Sequence, residues 1–156
     1  MIPSAFDYAR ATSVEDAVAK LAEAGGAAKL LAGGHSLVPM MKLRLNEPST
    51  LIDIARIPGL SGIRADGDAI EVGAATVHHD VAISDLLAEQ CPALAETAAA
   101  IGDPQVRNRG TLGGSLAHAD PAADYPATLV ALDASVQLHG PNGARSVAAS
   151  DFFQGL

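Results

Sequence analysis

Two glycine-rich segments carry residue types that could hold a charged ligand. The first, "LLAGGHS", covers residues 30–36, and the second, "TLGGS", covers residues 111–115. Each offers consecutive backbone N–H groups beside a hydroxyl, a combination that binds anions such as phosphate. A single glycine pair is most simply a turn, because glycine tolerates a positive φ. Two pairs with matching chemistry make one shared diphosphate about as good an interpretation as two unrelated turns.

The standard nucleotide-binding and hydrolase motifs are missing from both segments. No lysine follows either glycine pair as a P-loop requires, and no G-x-G-x-x-G opens a helix. G-x-S-x-G is also absent, so Ser36 and Ser115 lack the sharp turn that exposes a hydrolase nucleophile. The pattern therefore indicates a binding site without a catalytic nucleophile.

The histidines do not have the spacing of a metal site. His78 and His79 are adjacent and point to different faces, and neither has a ligand four residues on. His118 and Asp120 could face one way on an extended segment, but two ligands make a weak site. We expect no metal, and we interpret His35 as a packing or hydrogen-bonding group beside a ligand.

Charged side chains surround the second glycine segment. Arg107 and Arg109 come directly before it and could neutralise a phosphate or bind a partner's carboxylates, with two solvated loop arginines as the simpler alternative. Asp124 follows the segment, where it could cap a helix or hydrogen-bond a ribose or adenine.

Composition limits the partners and the location. Ten basic against eighteen acidic residues give a net charge of −8, which argues against nucleic acid as a partner. No apolar run approaches the roughly 18 residues of a membrane span, and the start lacks a signal pattern, so we predict a cytoplasmic protein. The single cysteine, Cys91, excludes an internal disulfide and any cysteine-only iron–sulfur or zinc site.

Hydrophobic periodicity predicts the helices and strands that precede His78. The most regular helix has apolar residues at helical spacing, namely Val14, Ala17, Val18 and Leu21. Ser13 and Asp16 have the spacing of a capping box, and Gly25 provides the stop. "AKLLA" and "STLIDIA" are predicted as short buried strands, and "GIRADGDAIEVGAA" as a hairpin turning at Asp66-Gly67.

The rest of the chain is predicted from similar signals. "TVHHDVAISDLLAEQ", "PALAETAAAIG" and "YPATLVALDA" are expected to be helical, "SVQLHG" and "RSVAA" to form a hairpin, and residues 102–124 to form a long loop. This order predicts an α+β or mixed α/β fold with a mixed sheet. A seam near residues 54–58 divides an N-terminal βαβ subdomain, 1–55, from a second subdomain, 56–156.

Two long segments make the sequence similar to a known family. "LLAGGHSLVPMMKLRL" and "DPQVRNRGTLGGSLAHADPAADYPA" resemble the flavoprotein (medium) subunits of molybdenum hydroxylases, and those of the aerobic carbon monoxide dehydrogenase type most closely. "FDYARATSVEDAVAKLAEAG", "LIDIARIPGLSGI" and "IEVGAATVHHDVAISDLL" extend the resemblance over the whole chain. It implies an FAD-binding domain of the PCMH or vanillyl-alcohol-oxidase type, with two subdomains and the cofactor between them.

The resemblance also implies which residues hold the cofactor. In this family the two glycine segments bind the FAD diphosphate, an aspartate contacts the adenosine side, and a further residue lies near the cofactor. The corresponding residues here are Leu31, Ala32, Gly33, Gly34, His35, Ser36, Leu37, Ile101, Thr111, Leu112, Gly113, Gly114, Ser115 and Asp124.

The implied function is electron relay within a complex. FAD would take electrons that began at a molybdopterin site on a large subunit and passed through 2Fe-2S clusters on a small subunit, and hand them to a terminal acceptor. An alternative is a flavin-free fragment that acts only in subunit assembly. A generic phosphate binder would require the two-segment match to be coincidental.

The sequence departs from the family pattern in two respects. Ser115 and His118 stand where asparagine is common, and both keep a hydrogen-bonding group. Related subunits continue past "DFFQG" with further strands and a carboxy-terminal domain, so we expect the second subdomain to be incomplete. A further chain could supply the missing part; otherwise an unpaired sheet edge and apolar surface would be exposed.

Overall fold

A computed structural model describes residues 2–153. The N-terminal part alternates strand and helix in a β-α-β-α-β order. Its elements are β1 (Asp7–Arg10), α1 (Val14–Glu23), β2 (Ala28–Leu31), α2 (Leu37–Lys42) and β3 (Thr50–Asp53). The strands form a parallel sheet in the order β1-β3-β2. The last strand in the chain is thus the central one.

The central position of β3 follows from its two apolar faces. Leu51 and Ile52 are 3% and 1% exposed, so both sides of this strand are covered. The predicted buried strand β2 is instead an edge strand, in which Lys29 and Leu30 are exposed. The sequence did not predict β1, which pairs with β3 in register from Asp7–Thr50 onward.

Helix α1 begins and ends as its sequence predicts. The Ser13 hydroxyl accepts a hydrogen bond from the Asp16 amide at 3.1 Å, and the Asp16 carboxylate accepts one from the Thr12 amide at 2.8 Å. After the helix, Gly25 and Gly26 both have positive φ, the conformation that lets a chain leave a helix sharply.

The C-terminal part consists of two hairpins and seven short helices among the described residues. The elements are β4 (Ile63–Asp66), β5 (Ala69–Val72), α3 (His78–Ala82), α4 (Asp85–Gln90), α5 (Pro92–Ala100), α6 (Pro104–Arg107), α7 (Leu112–His118), α8 (Tyr125–Ala131), β6 (Ser135–Gly140), β7 (Gly143–Ala148) and α9 (Ala149–Phe152). Both predicted hairpins are present, as separate two-stranded antiparallel sheets. The expectation of one mixed sheet was therefore wrong, because within residues 2–153 neither hairpin pairs with the parallel strands.

The predicted loop over residues 102–124 is wrong for much of its length, because it contains α6 and α7. Asp103 caps the first, accepting from the Val106 amide at 2.9 Å, and Thr111 caps the second. These caps offset the low helix propensity of the glycines that follow Thr111. The predicted helix over residues 76–90 is two helices, since Ser84 interrupts it and caps α4.

Buried side chains form two apolar clusters. The smaller cluster contains Ala11, Ala17, Ala28, Ile52 and Ile57. The larger contains Val81, Leu87, Leu94, Ala95, Ala98, Ile101, Leu112, Leu116, Tyr125, Leu129 and Ala149. The smaller cluster includes Ile57, which lies beyond the predicted boundary between the two subdomains at residues 55 and 56. That boundary stays a prediction.

The tip of the β6–β7 hairpin reaches back to α1. A shallow apolar cavity of about 280 Å³ lies between them, lined by Val18, Leu21, Ala22, His139, Gly140 and Pro141. The hairpin thus connects the second half of the chain to the first. No helix within residues 2–153 is long and apolar enough to cross a membrane.

Candidate cofactor site

The first glycine segment lies at the carboxyl ends of β2 and β3. The chain leaves β2 at Leu31, which pairs with Asp53 at the end of β3, and then enters the loop before α2. Within residues 2–153, no backbone carbonyl accepts a hydrogen bond from the six amides of residues 32–37. Ligands of open parallel sheets bind at this edge, and open amides are suited to an anion.

The second glycine segment has its amides occupied. The Leu112 amide donates to the Thr76 carbonyl at 3.0 Å, and the Gly113 amide donates to the Ala74 carbonyl at 2.9 Å. The Gly114 amide donates to the Thr111 hydroxyl at 3.1 Å. The Ser115 amide donates to the Thr111 carbonyl at 3.0 Å, as expected in a helix. The expectation that this segment offers consecutive backbone N–H groups to an anion is therefore wrong for residues 112–115.

The two segments touch through a glycine. A Cβ on Gly33 would lie 2.7 Å from the carbonyl carbon of Arg109 and 2.9 Å from the Cα of Gly110, closer than any side chain can approach. The φ angle of Gly33 is not positive, so the need for a left-handed turn does not explain why glycine stands there. The close approach of residues 109–110 explains it.

A pocket of about 210 Å³ lies where the segments meet. Its lining comes from both of them and from the stretches beside them, namely Ala32, Gly33, Ala55, Arg56, Ala75, Val77, Asn108, Arg109 and Thr111. Arg56 and Arg109 bring two positive charges to a chain whose net charge is −8. Within residues 2–153, neither guanidinium forms a salt bridge with a carboxylate. The pocket therefore favours an anion.

Asp53 fixes the end of the central strand beside this pocket. Its carboxylate accepts hydrogen bonds from the Tyr8 hydroxyl at 2.5 Å and from the Ala55 amide at 2.8 Å. Burial acts to raise the pKa of Asp53, but these hydrogen bonds and the nearby arginines Arg10 and Arg56 lower it overall. The carboxylate is thus ionised and holds the chain where it turns toward Arg56.

A buried histidine and tyrosine pair lies next to Gly110, the residue that precedes the second glycine segment. His78 is 5% exposed and Tyr125 is fully buried. The His78 Nδ1 lies 3.1 Å from the Tyr125 hydroxyl. Burial, and secondly His35, lower the pKa of His78 to about 4, while Asp124 acts in the opposite direction. Burial, followed by Asp124, raises the pKa of Tyr125. Both side chains are therefore neutral near pH 7.

The structure brings together only part of the predicted site. Ala32, Gly33 and Thr111 line the pocket. The other predicted residues of the two segments adjoin these three in the chain without lining the pocket, namely Leu31, Gly34, His35, Ser36, Leu37, Leu112, Gly113, Gly114 and Ser115. Ile101 belongs to the larger apolar cluster, and exposed Asp124 precedes α8; neither lines the pocket. Their contact with the cofactor stays a prediction.

The sequence reasoning missed several residues of this region. Arg56 and Ala55 lie after the central strand, where ligand-binding residues of parallel sheets are expected, so their position was a usable signal. The partnership of His78 with Tyr125 had no local signal. Arg107, considered as a phosphate ligand, instead donates to the carbonyls of Ile101 and Gly102 at 2.8 and 3.1 Å.

Comparison with known proteins agrees with this architecture. The family described as the FAD binding domain in molybdopterin dehydrogenase matches residues 4–156. The chain is 54% identical to the carbon monoxide dehydrogenase medium chain of Hydrogenophaga pseudoflava, over 99% of this chain and 54% of that protein. It is 49% identical to the corresponding chain of Afipia carboxidovorans, with the same coverage. The chain thus spans about half the length of these curated relatives.

Solved structures show the same similarity. A carbon monoxide dehydrogenase structure from Hydrogenophaga pseudoflava matches with a TM-score of 0.97 at 54% identity, covering 99% of this chain and 54% of that one. Quinoline 2-oxidoreductase from Pseudomonas putida 86 matches with a TM-score of 0.96 at 37% identity and equal coverage. The expected mixed α+β fold and the resemblance drawn from the two glycine segments are confirmed. The chain belongs to the family of FAD-binding domains of molybdopterin dehydrogenases.

Proposed function

We propose that this chain holds the diphosphate of FAD in the pocket between its two glycine segments. The observation that carries the proposal is the run of open amides at residues 32–37 beside Arg56 and Arg109. Amide donors and guanidinium groups are the usual partners of phosphate oxygens. The absence of a side chain at Gly33 lets the backbone of residues 109–110 approach closely, which brings the two segments together at the pocket.

The dimensions of the pocket fit one part of the cofactor. Its volume of about 210 Å³ lies below the roughly 300 Å³ at which pockets for whole drug-sized ligands begin. A diphosphate is the part of FAD whose charge matches the two arginines. Leu31 ends β2, His35 and Ser36 lie in the loop that follows, and Leu37 begins α2; all four would support it.

The proposed role of the bound flavin is electron transfer within a molybdenum hydroxylase complex. FAD supplies the redox chemistry, and the chain binds and orients it. An iron–sulfur small subunit and a molybdopterin-bearing large subunit are the proposed partners. The proposed location is the cytoplasm.

The names of the relatives support a role that is independent of the substrate. They include a glyceraldehyde dehydrogenase, a nicotine 6-hydroxylase, a caffeine dehydrogenase and a xanthine dehydrogenase. Since one type of domain serves such different substrates, we propose that another subunit selects the substrate and that this chain transfers the electrons.

Reconstitution with FAD tests the proposal. We expect the purified chain to take up FAD, visible as flavin absorbance, and Gly33→Ala to weaken binding at least tenfold because its Cβ would strike the backbone at Arg109. Gly140→Ala is the matched control, since nothing lies within 4 Å of its Cβ position. A protein that stays colourless even with its partner chains present would contradict the proposal.

A further inference from the structure

The ring of His78 touches two different parts of the chain. Its Nδ1 lies 3.1 Å from the hydroxyl of Tyr125, the first residue of α8. Its Nε2 faces Gly110, where a Cβ would lie only 2.6 Å away. The backbone of His78 also donates to the Gly110 carbonyl at 3.0 Å. The ring therefore occupies the space that a side chain at position 110 would need.

The peptide on which this ring packs also contacts the first glycine segment. The Arg109 carbonyl and the Cα of Gly110 are the atoms closest to the Cβ position of Gly33. Contacts thus run from Tyr125 through His78 and Gly110 to Gly33. Arg109 itself lines the pocket. A shift of the His78 ring would move a wall of this pocket.

We propose that His78 and Tyr125 are positioning residues that hold residues 109–110 against the first glycine segment. Neither side chain lines the pocket, so their effect on a ligand is indirect. Removing the Tyr125 hydroxyl leaves the buried Nδ1 of His78 without a partner, and a buried polar atom in that state favours rearrangement. The link to FAD affinity rests on the proposed function; the link to the position of residues 109–110 does not.

The structure offers a matched control on the same helix. The hydroxyl of Thr128, also in α8, lies 2.8 Å from the hydroxyl of Thr97 in α5. Thr128→Val removes one hydroxyl contact of α8 while leaving His78 and Gly110 untouched. Tyr125→Phe removes the other. Comparing the two variants separates a local effect on the pocket from a general loosening of α8.

Amide hydrogen exchange tests the position of residues 109–110 without any ligand. The Arg109 and Gly110 amides both donate to the Val106 carbonyl, at 3.1 and 2.7 Å, so their exchange reports on this turn. We expect Tyr125→Phe to speed exchange at these two amides about tenfold relative to Thr128→Val. Equal exchange in the two variants would overturn the proposal.

FAD affinity tests the consequence for the pocket. We expect Tyr125→Phe to raise the Kd for FAD about tenfold and Thr128→Val to change it less than twofold. His78→Asn keeps a hydrogen-bonding group near Tyr125, so its Kd is expected to stay closer to that of the unmodified chain than the Kd of His78→Ala. This variant also serves if Tyr125→Phe fails to fold. Unchanged affinity in Tyr125→Phe would overturn the proposal.

The two proposals fail in different ways. An unmodified chain that does not bind FAD contradicts the proposed function, and the exchange measurement then decides the positioning role alone. A chain that binds FAD equally well with and without the Tyr125 hydroxyl contradicts the positioning role and leaves the proposed function standing.

Discussion

At the scale of single residues, the two glycine segments differ in what their backbone atoms contact. The amides of residues 112–115 bond within the chain, whereas those of residues 32–37 find no backbone acceptor among residues 2–153. Gly33 and Gly113 share one role, since each lets another backbone approach closely; Gly113 meets Ala74. We infer that the first segment meets the ligand and the second shapes the pocket.

The charge of Arg109 should matter for an anionic ligand. We expect Arg109→Gln to raise the Kd for FAD about tenfold at low salt, which corresponds to about 1.4 kcal/mol. The effect should shrink as salt screens the guanidinium. Titration of FAD at two ionic strengths measures it. Arg64→Gln is the control, because Arg64 pairs with Glu71 at 2.6 Å on the first hairpin. Equal losses in both variants would contradict a specific role.

The burial of His78 should make stability depend on pH. Its pKa of about 4 lies below the ordinary value of 6.5, so the unfolded chain binds a proton that the folded chain does not. The contribution of neutral His78 to the free energy of unfolding is therefore fully present above pH 6.5. It is lost as the pH drops toward 4, by up to about 3 kcal/mol.

Denaturant unfolding at pH 7 and pH 4.5 measures this loss. His78→Asn should lose less stability between the two values, since asparagine does not titrate. The groups that act on His78 are Tyr125, His35 and Asp124, and all three remain in the variant. An unchanged pH dependence would show that another group is responsible.

At the scale of elements, local patterns predicted those elements whose signals are themselves local. The cap at Ser13 and the first hairpin were predicted correctly because neighbouring residues determine them. The turn itself lies at Gly67 and Asp68, one residue after the predicted Asp66-Gly67, because Asp66 still pairs with Ala69. Strand β1 was missed, since its identity comes from pairing with β3 and from the bond between Tyr8 and Asp53.

The residues of the pocket region also differ in whether a local sequence signal could predict their role. The glycine pairs marked its position in the sequence. The occupation of the Leu112 and Gly113 amides could not be predicted, because their acceptors, Thr76 and Ala74, lie far away along the chain. The role of His78 depends on Tyr125 and Gly110 for the same reason.

Capping of α7 gives a prediction at this scale. Thr111→Val should destabilise the fold by about 1 kcal/mol and also weaken FAD binding, because Thr111 both caps α7 and lines the pocket. Ser13→Ala should cost about the same stability while leaving FAD affinity unchanged, since it caps α1 away from the pocket. Thermal unfolding and FAD titration separate the effects. Loss of FAD affinity in Ser13→Ala would contradict this account.

At the scale of the whole molecule, the pocket joins the two apolar clusters. The first glycine segment follows a strand of the smaller cluster, and Thr111 precedes Leu112 of the larger one. A ligand that touches both segments can bind only when both halves are folded and in contact. Binding energy therefore stabilises their association as well as each half.

Hydrogen exchange over the whole chain checks this coupling. The smaller cluster has fewer buried residues, so we expect amides of α1 and β2 to exchange faster than those of α5 in the free protein. FAD at 100 times its Kd should slow openings that break the site by up to about 100-fold. Protection confined to the second half would contradict a ligand shared by both.

The β6–β7 hairpin, whose tip rests on α1, has a mechanical consequence. A hinge needs a single axis through all attachments between the two halves. Within residues 2–153 there are at least three: the covalent link near residue 57, the contact of Gly33 with Arg109, and the contact of the β6–β7 hairpin with α1. Because the hairpin contacts α1, a movement that swung the two halves apart would have to break the apolar contacts between them. We therefore expect the cofactor to enter through a local movement of residues 32–37, while the two halves of the chain keep their relative positions.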